Sequence, residues 1–130
     1  MEYKVGIIPD VEKITELYIS SGIKRPTADE GRIGNMYANS NLVVTAWDGA
    51  ALAGIARSLT DYCYVCYLAD LAVAKGYQRM GVGRKLIEIT RETIGEKTTL
   101  ILLAAPAAME YYPKVGFEKL ENGFIIHRKQ

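Results

Sequence analysis

The residues best suited to chemistry lie between positions 63 and 117. Gly81-x-Gly83 closes the hexapeptide Gln78-Arg79-Met80-Gly81-Val82-Gly83, between an apolar run and a segment with helical spacing. Glycines in such a place let an anion approach the main chain, and the free N–H groups opening a helix carry partial positive charge toward it. The same glycines would also suit close packing at a strand-to-helix turn, so the residue types alone leave both uses open. Two other phosphate loops are excluded. Gly76 and Gly81 have the outer spacing of a nucleotide P-loop, but Val82 and Gly83 stand where Lys and Ser or Thr are required. A dinucleotide fingerprint needs a third glycine where Leu86 stands.

Asp70 is the only charged residue in the run Tyr64 to Val73. An unpaired carboxylate there is costly, so it requires hydrogen bonds, solvent access or a raised pKa. That makes Asp70 the leading candidate for a proton acceptor, set against a structural role as acceptor for loop amides. Cys63-x-x-Cys66 resembles a redox pair or half a zinc site, but cysteines three apart on a strand point to opposite faces. With His127 the only histidine and no second cysteine pair, the ligand count for zinc fails, and no metal is expected. His127 has a suitable ordinary pKa for a base, yet it stands near the C-terminus and reads as a surface or partly packed residue.

The elements that must position these groups alternate between strand and helix patterns. Tyr3 to Ile8 reads as a strand, and Pro9-Asp10 opens a helix with Val11, Ile14, Leu17 and Tyr18 on one face and Gly22 as its stop. Thr27 and Glu30 have capping-box spacing for a second helix to about Tyr37. Leu42 to Trp47 and Ala51 to Thr60 flank the turn dipeptide Asp48-Gly49 and read as a hairpin. Tyr64 to Val73 has the near-continuous apolar character of a central strand covered on both faces. Beyond the glycine loop, Val82, Leu86, Ile89 and Thr90 mark a helix to about Ile94. Thr98 to Ala104 reads as a buried strand and Pro106 as the start of a helix to about Lys114. Asn122-Gly123 reads as the turn of a final hairpin between Phe117–Leu120 and Phe124–Arg128. The fold class is α/β, a single domain over residues 1–130 with a mixed central sheet flanked by helices.

Composition narrows the partners. Hydrophobic residues make up 49% and charged residues 24%, the balance of a chain that folds on its own. Lys and Arg total 16 against 15 for Asp and Glu, so a net charge of +1 supplies no global field for nucleic acid or an anionic membrane. No run approaches the ~20 apolar residues of a membrane span, and Met1-Glu2-Tyr3-Lys4 lacks the start of a signal peptide; the expected location is cytoplasmic.

Leu71-Ala72-Val73, then Gln78-Arg79-x-Gly81-x-Gly83, then Tyr111-Tyr112-Pro113-Lys114-Val115-Gly116-Phe117 resemble the GCN5-related N-acetyltransferase (GNAT) superfamily. The similarity lies in the Q/R-x-x-G-x-G/A loop and the aromatic-Tyr-x-x-x-Gly-Phe segment, in order and separated by a helix and a strand. The resemblance implies a mainly antiparallel sheet, acetyl-CoA as co-substrate and an amine acceptor, either a small molecule or a peptide. It implies that the backbone of Leu71 and Val73, in the segment with Ala72, pairs with the pantetheine arm. The amides of Arg79, Met80, Gly81, Val82, Gly83 and Arg84, in the loop opened by Gln78, would then hold the pyrophosphate. Counting back from Gly116-Phe117 puts Tyr112 in the family's general-acid position, giving its proton to the departing thiolate, and leaves Tyr111 as a packing aromatic.

Two positions depart from the family pattern. Histone acetyltransferases of this family carry a glutamate where Tyr67 stands, and simple strand alternation places Tyr67 opposite Asp70, so that role does not transfer. Many relatives have asparagine at Ala105, which here cannot offer a side-chain hydrogen bond. Ser20 to Ser40 is expected to supply part of the acceptor pocket, and an exposed strand edge or the final hairpin could support a homodimer. A noncatalytic acyl-CoA sensor using the same clamp is the alternative to catalysis.

Overall fold

In the computed structural model, which describes residues 1–129, the Asp48-Gly49 signal makes the hairpin expected of it. Asp48 pairs with Ala51 across a two-residue turn in which Gly49 has φ +61°, the left-handed conformation a tight hairpin needs. The hairpin strands are the middle of a five-stranded sheet: β1 (Glu2–Val5), β2 (Leu42–Asp48), β3 (Ala51–Thr60), β4 (Val65–Val73) and β5 (Thr99–Ile101), side by side in chain order. The first four are antiparallel and β5 is parallel to β4, which gives the expected mixed, mainly antiparallel sheet.

Helices cover both faces. On one lie α1 (Val11–Ser21) and α2 (Glu30–Ala38), whose Ile14, Leu17, Ile33 and Tyr37 pack on Val43, Ile55 and Ala72. On the other, α3 (Val82–Ile94) presses Val82, Leu86 and Ile87 onto Val44, Ala56 and Leu68. Gly54 of β3 makes that approach possible, because a Cβ there would stand 3.0 Å from both Leu86 Cδ1 and Val82 Cγ1. Helix α1 ends at Gly22 with φ +83°, as its sequence indicates. Helix α2 is capped by Asp29, which accepts the Arg32 amide at 3.0 Å, rather than by Thr27: the expected cap lies two residues too early.

The ladder between β3 and β4 is irregular at one point. Arg57 faces Asp70 and Ser58 faces Leu68, so Ala69 is an extra residue, a bulge. Its effect is to reverse the alternation. Cys66 and Leu68 point to the α3 side, yet two residues beyond Leu68 the Asp70 side chain reaches Tyr18 of α1. Tyr67, opposite in sense to Leu68, therefore shares a face with Asp70, which corrects the simple-alternation expectation.

The second half of the chain departs most from expectation. The strand expected from Thr98 to Ala104 is only three residues long and half-buried at best, pairing Thr99, Leu100 and Ile101 with Val65, Cys66 and Tyr67. The helix expected over 106–114 is broken into a 3-10 turn at Pro106–Ala108 and the one-turn α4 (Tyr111–Lys114). No strand forms at 117–129 among the described residues, and Phe124 is fully exposed, so the final hairpin is absent. A turn signal is local, whereas a two-stranded ribbon needs a further strand or helix to bury its apolar face. At the other end β1 stops at Val5, leaving Ile7 and Ile8 half-exposed.

Candidate functional site

Strand β4 outlives its partner. Pairing with β5 ends at Tyr67–Ile101, and from Leu68 to Val73 no strand lies on that side among the described residues. The main chain of Leu71, Ala72 and Val73 therefore borders an open notch that leads to the glycine loop. After Val73 the chain makes a 3-10 turn at Lys75–Tyr77, with the Lys75 amide held by Ser20 Oγ at 3.0 Å. Gln78 then staples the loop down, its side-chain amide donating to the Val73 carbonyl at 2.9 Å and the Ser21 carbonyl at 3.4 Å. That use of the Gln78 side chain was not legible from the motif, which only marks the position.

Arg79 and Gly81 adopt left-handed backbone, φ +65° and +83°, and helix α3 begins at Val82. The first bond of the helix runs from the Lys85 amide to the Gly81 carbonyl, so the amides of Val82, Gly83 and Arg84 have no acceptor one turn back within it. The two glycines serve different ends. A Cβ at Gly81 would meet no protein atom within 4 Å, so this glycine serves the positive φ, and the face it turns outward is open. A Cβ at Gly83 would come within 3.0 Å of the Tyr111 hydroxyl. Tyr111 thus reaches the start of α3, and Met80 is largely exposed at the tip of the loop. Left-handed turns followed by unpaired amides at a helix start form a cradle that can receive an anion.

Tyr112 stands on the one-turn helix that packs against this core. Its ring meets Phe117 edge-on, 5.5 Å between centroids, and Tyr111 at 5.2 Å. The Phe117 amide closes the turn on the Tyr112 carbonyl at 3.1 Å, which explains why a glycine, Gly116 with φ +101°, precedes Phe117. Burial pushes the Tyr112 phenol above its ordinary pKa, proximity to Tyr111 adds to this, and the charge of Arg25 pulls the other way. A phenol in this state is protonated at neutral pH and can give up a proton.

Asp70 is the most connected polar group of the site. It is 1% exposed, and both of its oxygens are engaged. Arg25, from the connection between α1 and α2, donates Nε to Oδ1; Arg57, from β3, donates Nε to Oδ2 at 2.6 Å; Tyr18 donates its hydroxyl to Oδ2 at 2.7 Å. Tyr37 bonds Tyr18 in turn, Arg57 also donates to Ser40 Oγ at 3.0 Å, and Arg25 caps the bulge carbonyl of Ala69 at 2.9 Å. Burial by itself raises the pKa of Asp70, but the hydrogen bond and charge of Arg57, the charge of Arg25 and the Tyr18 hydroxyl reverse this and hold it below the usual carboxylate range. Ionised and doubly bridged, this carboxylate has no oxygen turned to an acceptor, and the groups it accepts from are guanidinium and phenol rather than loop amides. Sequence placed Tyr18 only on a helix face, and Arg25 and Tyr37 only within the Ser20–Ser40 stretch expected to border the acceptor; it tied none of them to Asp70 and did not single out Arg57. One signal was available: Arg57, like Asp70, is a lone charge in an apolar strand.

Cys66 is buried and Cys63 exposed, and the two thiols are free. His127 lies exposed in the C-terminal segment. Ala105 opens the 3-10 turn and accepts the Ala108 amide through its carbonyl. Among the described residues no helix is long and apolar enough to cross a membrane.

Residues 10–126 match the family model of the acetyltransferase (GNAT) domain. Histone acetyltransferase TAP1 of Glycine max is 33% identical over 74 residues, 55% of this chain and 32% of that protein, so the chain spans about a third of the length of this relative. Among solved structures, a protein of unknown function and probable acetyltransferase from meticillin-resistant Staphylococcus aureus superposes with a TM-score of 0.81 at 28% identity, over 98% of this chain and 100% of that one. An aminoglycoside N-acetyltransferase solved with CoA superposes with a TM-score of 0.72 over 99% of this chain and 96% of that one; at 15% identity the likeness is one of fold.

Proposed function

Because this chain belongs to the GNAT acetyltransferase family, we propose that it transfers an acetyl group from acetyl-CoA to a primary amine by direct attack on the thioester. The observation that carries this reading is the notch beside Leu71–Val73, bordered by unpartnered strand and ending at the open amides of Val82, Gly83 and Arg84. The strand edge suits the amide groups of a pantetheine arm, and the loop from Arg79 to Arg84 suits its pyrophosphate. Acetyl-CoA supplies the activated acyl group; the chain supplies position and protons.

A primary alkyl amine has a pKa of ~10.4, so it must lose a proton to solvent before it attacks. In this reading main-chain N–H groups near Leu71 stabilise the oxyanion that forms as nitrogen bonds to the carbonyl carbon. When the carbon–sulfur bond breaks, Tyr112 gives its phenolic proton to the thiolate and recovers one from the new amide nitrogen through water. Asp70 has both oxygens occupied and an ionised state held by two arginines, which supports a positioning role instead of that of base.

The test is coenzyme A thiol release from acetyl-CoA across a broad panel of amines, with the acetylated product identified by mass. Amine-dependent release supports the transferase. Tight acetyl-CoA binding with no release from any amine overturns it in favour of an acyl-CoA sensor.

A further inference from the structure

The cluster around Asp70 is unbalanced. Arg25 and Arg57 share one carboxylate, and no other carboxylate pairs with either among the described residues. Burial raises the pKa values of Tyr18 and Tyr37, so these phenols are neutral and contribute no compensating charge. One positive charge is left over at the bulge, immediately before Leu71. Of the two cations, Arg57 is enclosed, with a side chain 11% exposed, whereas that of Arg25 is 27% exposed. The surplus therefore presents itself at Arg25. Its Nε is taken by Asp70, but Nη1 and Nη2 each use one hydrogen, on the carbonyls of Lys24 and Ala69, and each keeps another.

The same face of the sheet carries a bare row. Leu59, Tyr67 and Ile101 are cross-strand partners on β3, β4 and β5, and partners in register share a face. The Ala69 bulge turns this row toward the Asp70 side. Leu59 and Tyr67 are 41% and 38% exposed, and neither belongs to the cluster that α1 and α2 cover. Tyr67 is three residues from Asp70, about 10 Å at the rise of a strand. That is within reach of one small molecule.

Resting on the transferase reading above, we propose that the acceptor is an amine that also carries a carboxylate, an amino acid with an apolar or aromatic side chain. Arg25 receives the carboxylate, the row Leu59–Tyr67–Ile101 receives the side chain, and the amine is left directed at the thioester beside Leu71. A guanidinium already bridged to Asp70 is held in one orientation, so it can receive a carboxylate with little further ordering. A polycationic amine is disfavoured at the same place, because a like charge beside a partly desolvated guanidinium is repelled.

The experiment compares matched pairs: phenylalanine with phenylalaninamide and leucine with leucinamide, each corrected for its free-amine fraction, beside spermidine and phosphoethanolamine. The amino acid is expected to exceed its amide by about tenfold in kcat/KM, mainly through KM. Arg25→Gln should bring that ratio to about one while the KM for acetyl-CoA stays within twofold. Arg25→Lys, which keeps the charge and loses the fork, should retain part of the preference. Equal use of acid and amide by the wild type, or preference for spermidine or phosphoethanolamine, overturns this inference and leaves the transferase intact. No turnover of any amine by a chain that binds acetyl-CoA overturns both.

Discussion

Arg57 of β3 stands directly opposite Asp70 of β4 and donates Nε to its carboxylate at 2.6 Å, an ion pair built across the sheet beneath α1 and α2. Removing the carboxylate charge leaves two guanidiniums facing each other where solvent barely reaches. Asp70→Asn is expected to lose about 3 kcal/mol or more of unfolding free energy, the usual cost of breaking one side of a buried pair. The folded pKa of Asp70 lies below its unfolded value of ~3.9, so the charge contributes fully above that value and is lost as pH falls through the lower folded pKa. In urea unfolding, the gap between wild type and variant should stay level from about pH 5 to about 8 and narrow below about 4. A gap that widens in acid would contradict the assignment of an ionised Asp70.

Gly54→Ala tests how closely α3 lies on the sheet. The new methyl would meet Leu86 and Val82 at 3.0 Å and, more stubbornly, the Ala72 carbonyl at 3.3 Å. The Ala72 carbonyl belongs to the neighbouring strand β4 and cannot rotate away, while the contacts with Leu86 and Val82 are relieved only if those side chains or α3 shift. The expected loss is about 1–3 kcal/mol in thermal or denaturant unfolding, reduced when Val82→Ala makes room. A neutral Gly54→Ala would mean that α3 is not seated as described.

Sequence patterns revealed what rests on neighbours along the chain. The hairpin at Asp48-Gly49, the stop at Gly22 and the helix from Val82 all follow from turn chemistry or helical spacing within a few residues. The partners of Asp70 do not: they come from positions 13, 45 and 52 residues away, and spacing carries no trace of such distances. The bulge at Ala69 is similarly unmarked by residue type, yet it decides which face Tyr67 occupies. Asn122-Gly123 shows the converse failure, a strong local signal with nothing to pack the strands it would join.

Gly83 and Tyr111 form a coupled pair at the cofactor loop. Gly83→Ala brings a methyl within 3.0 Å of the Tyr111 hydroxyl, which sits at the end of a side chain able to yield. The single change should raise the KM for acetyl-CoA by several-fold, because a displaced phenol moves into the space in front of the loop amides. Tyr111→Phe alone should have little effect, and adding it to Gly83→Ala should restore most of the loss, a coupling of about 0.5–1 kcal/mol in a double-mutant cycle. Additive effects would show that the phenol is not the obstacle.

Tyr112→Phe separates acid catalysis from packing. The ring contacts with Tyr111 and Phe117 survive the change, so the fold and acetyl-CoA affinity are expected to hold while kcat falls about 100-fold, the low end for a positioned general acid. The pH profile adds the sign. Burial and Tyr111 raise the pKa of the phenol against the weaker pull of Arg25, so Tyr112 keeps its proton up to and beyond the ordinary tyrosine value of ~10. In the wild type kcat should therefore rise through neutrality as the acceptor loses its proton, and decline only above about pH 10. The variant should lose that alkaline decline together with its rate. Acetyl donors with a better leaving thiolate would sharpen the contrast: an acetyl thioester of a more acidic thiol needs less help from Tyr112, and its rate should fall much less in Tyr112→Phe. An equal fall for both thioesters would place the hydroxyl outside the step in which the carbon–sulfur bond breaks.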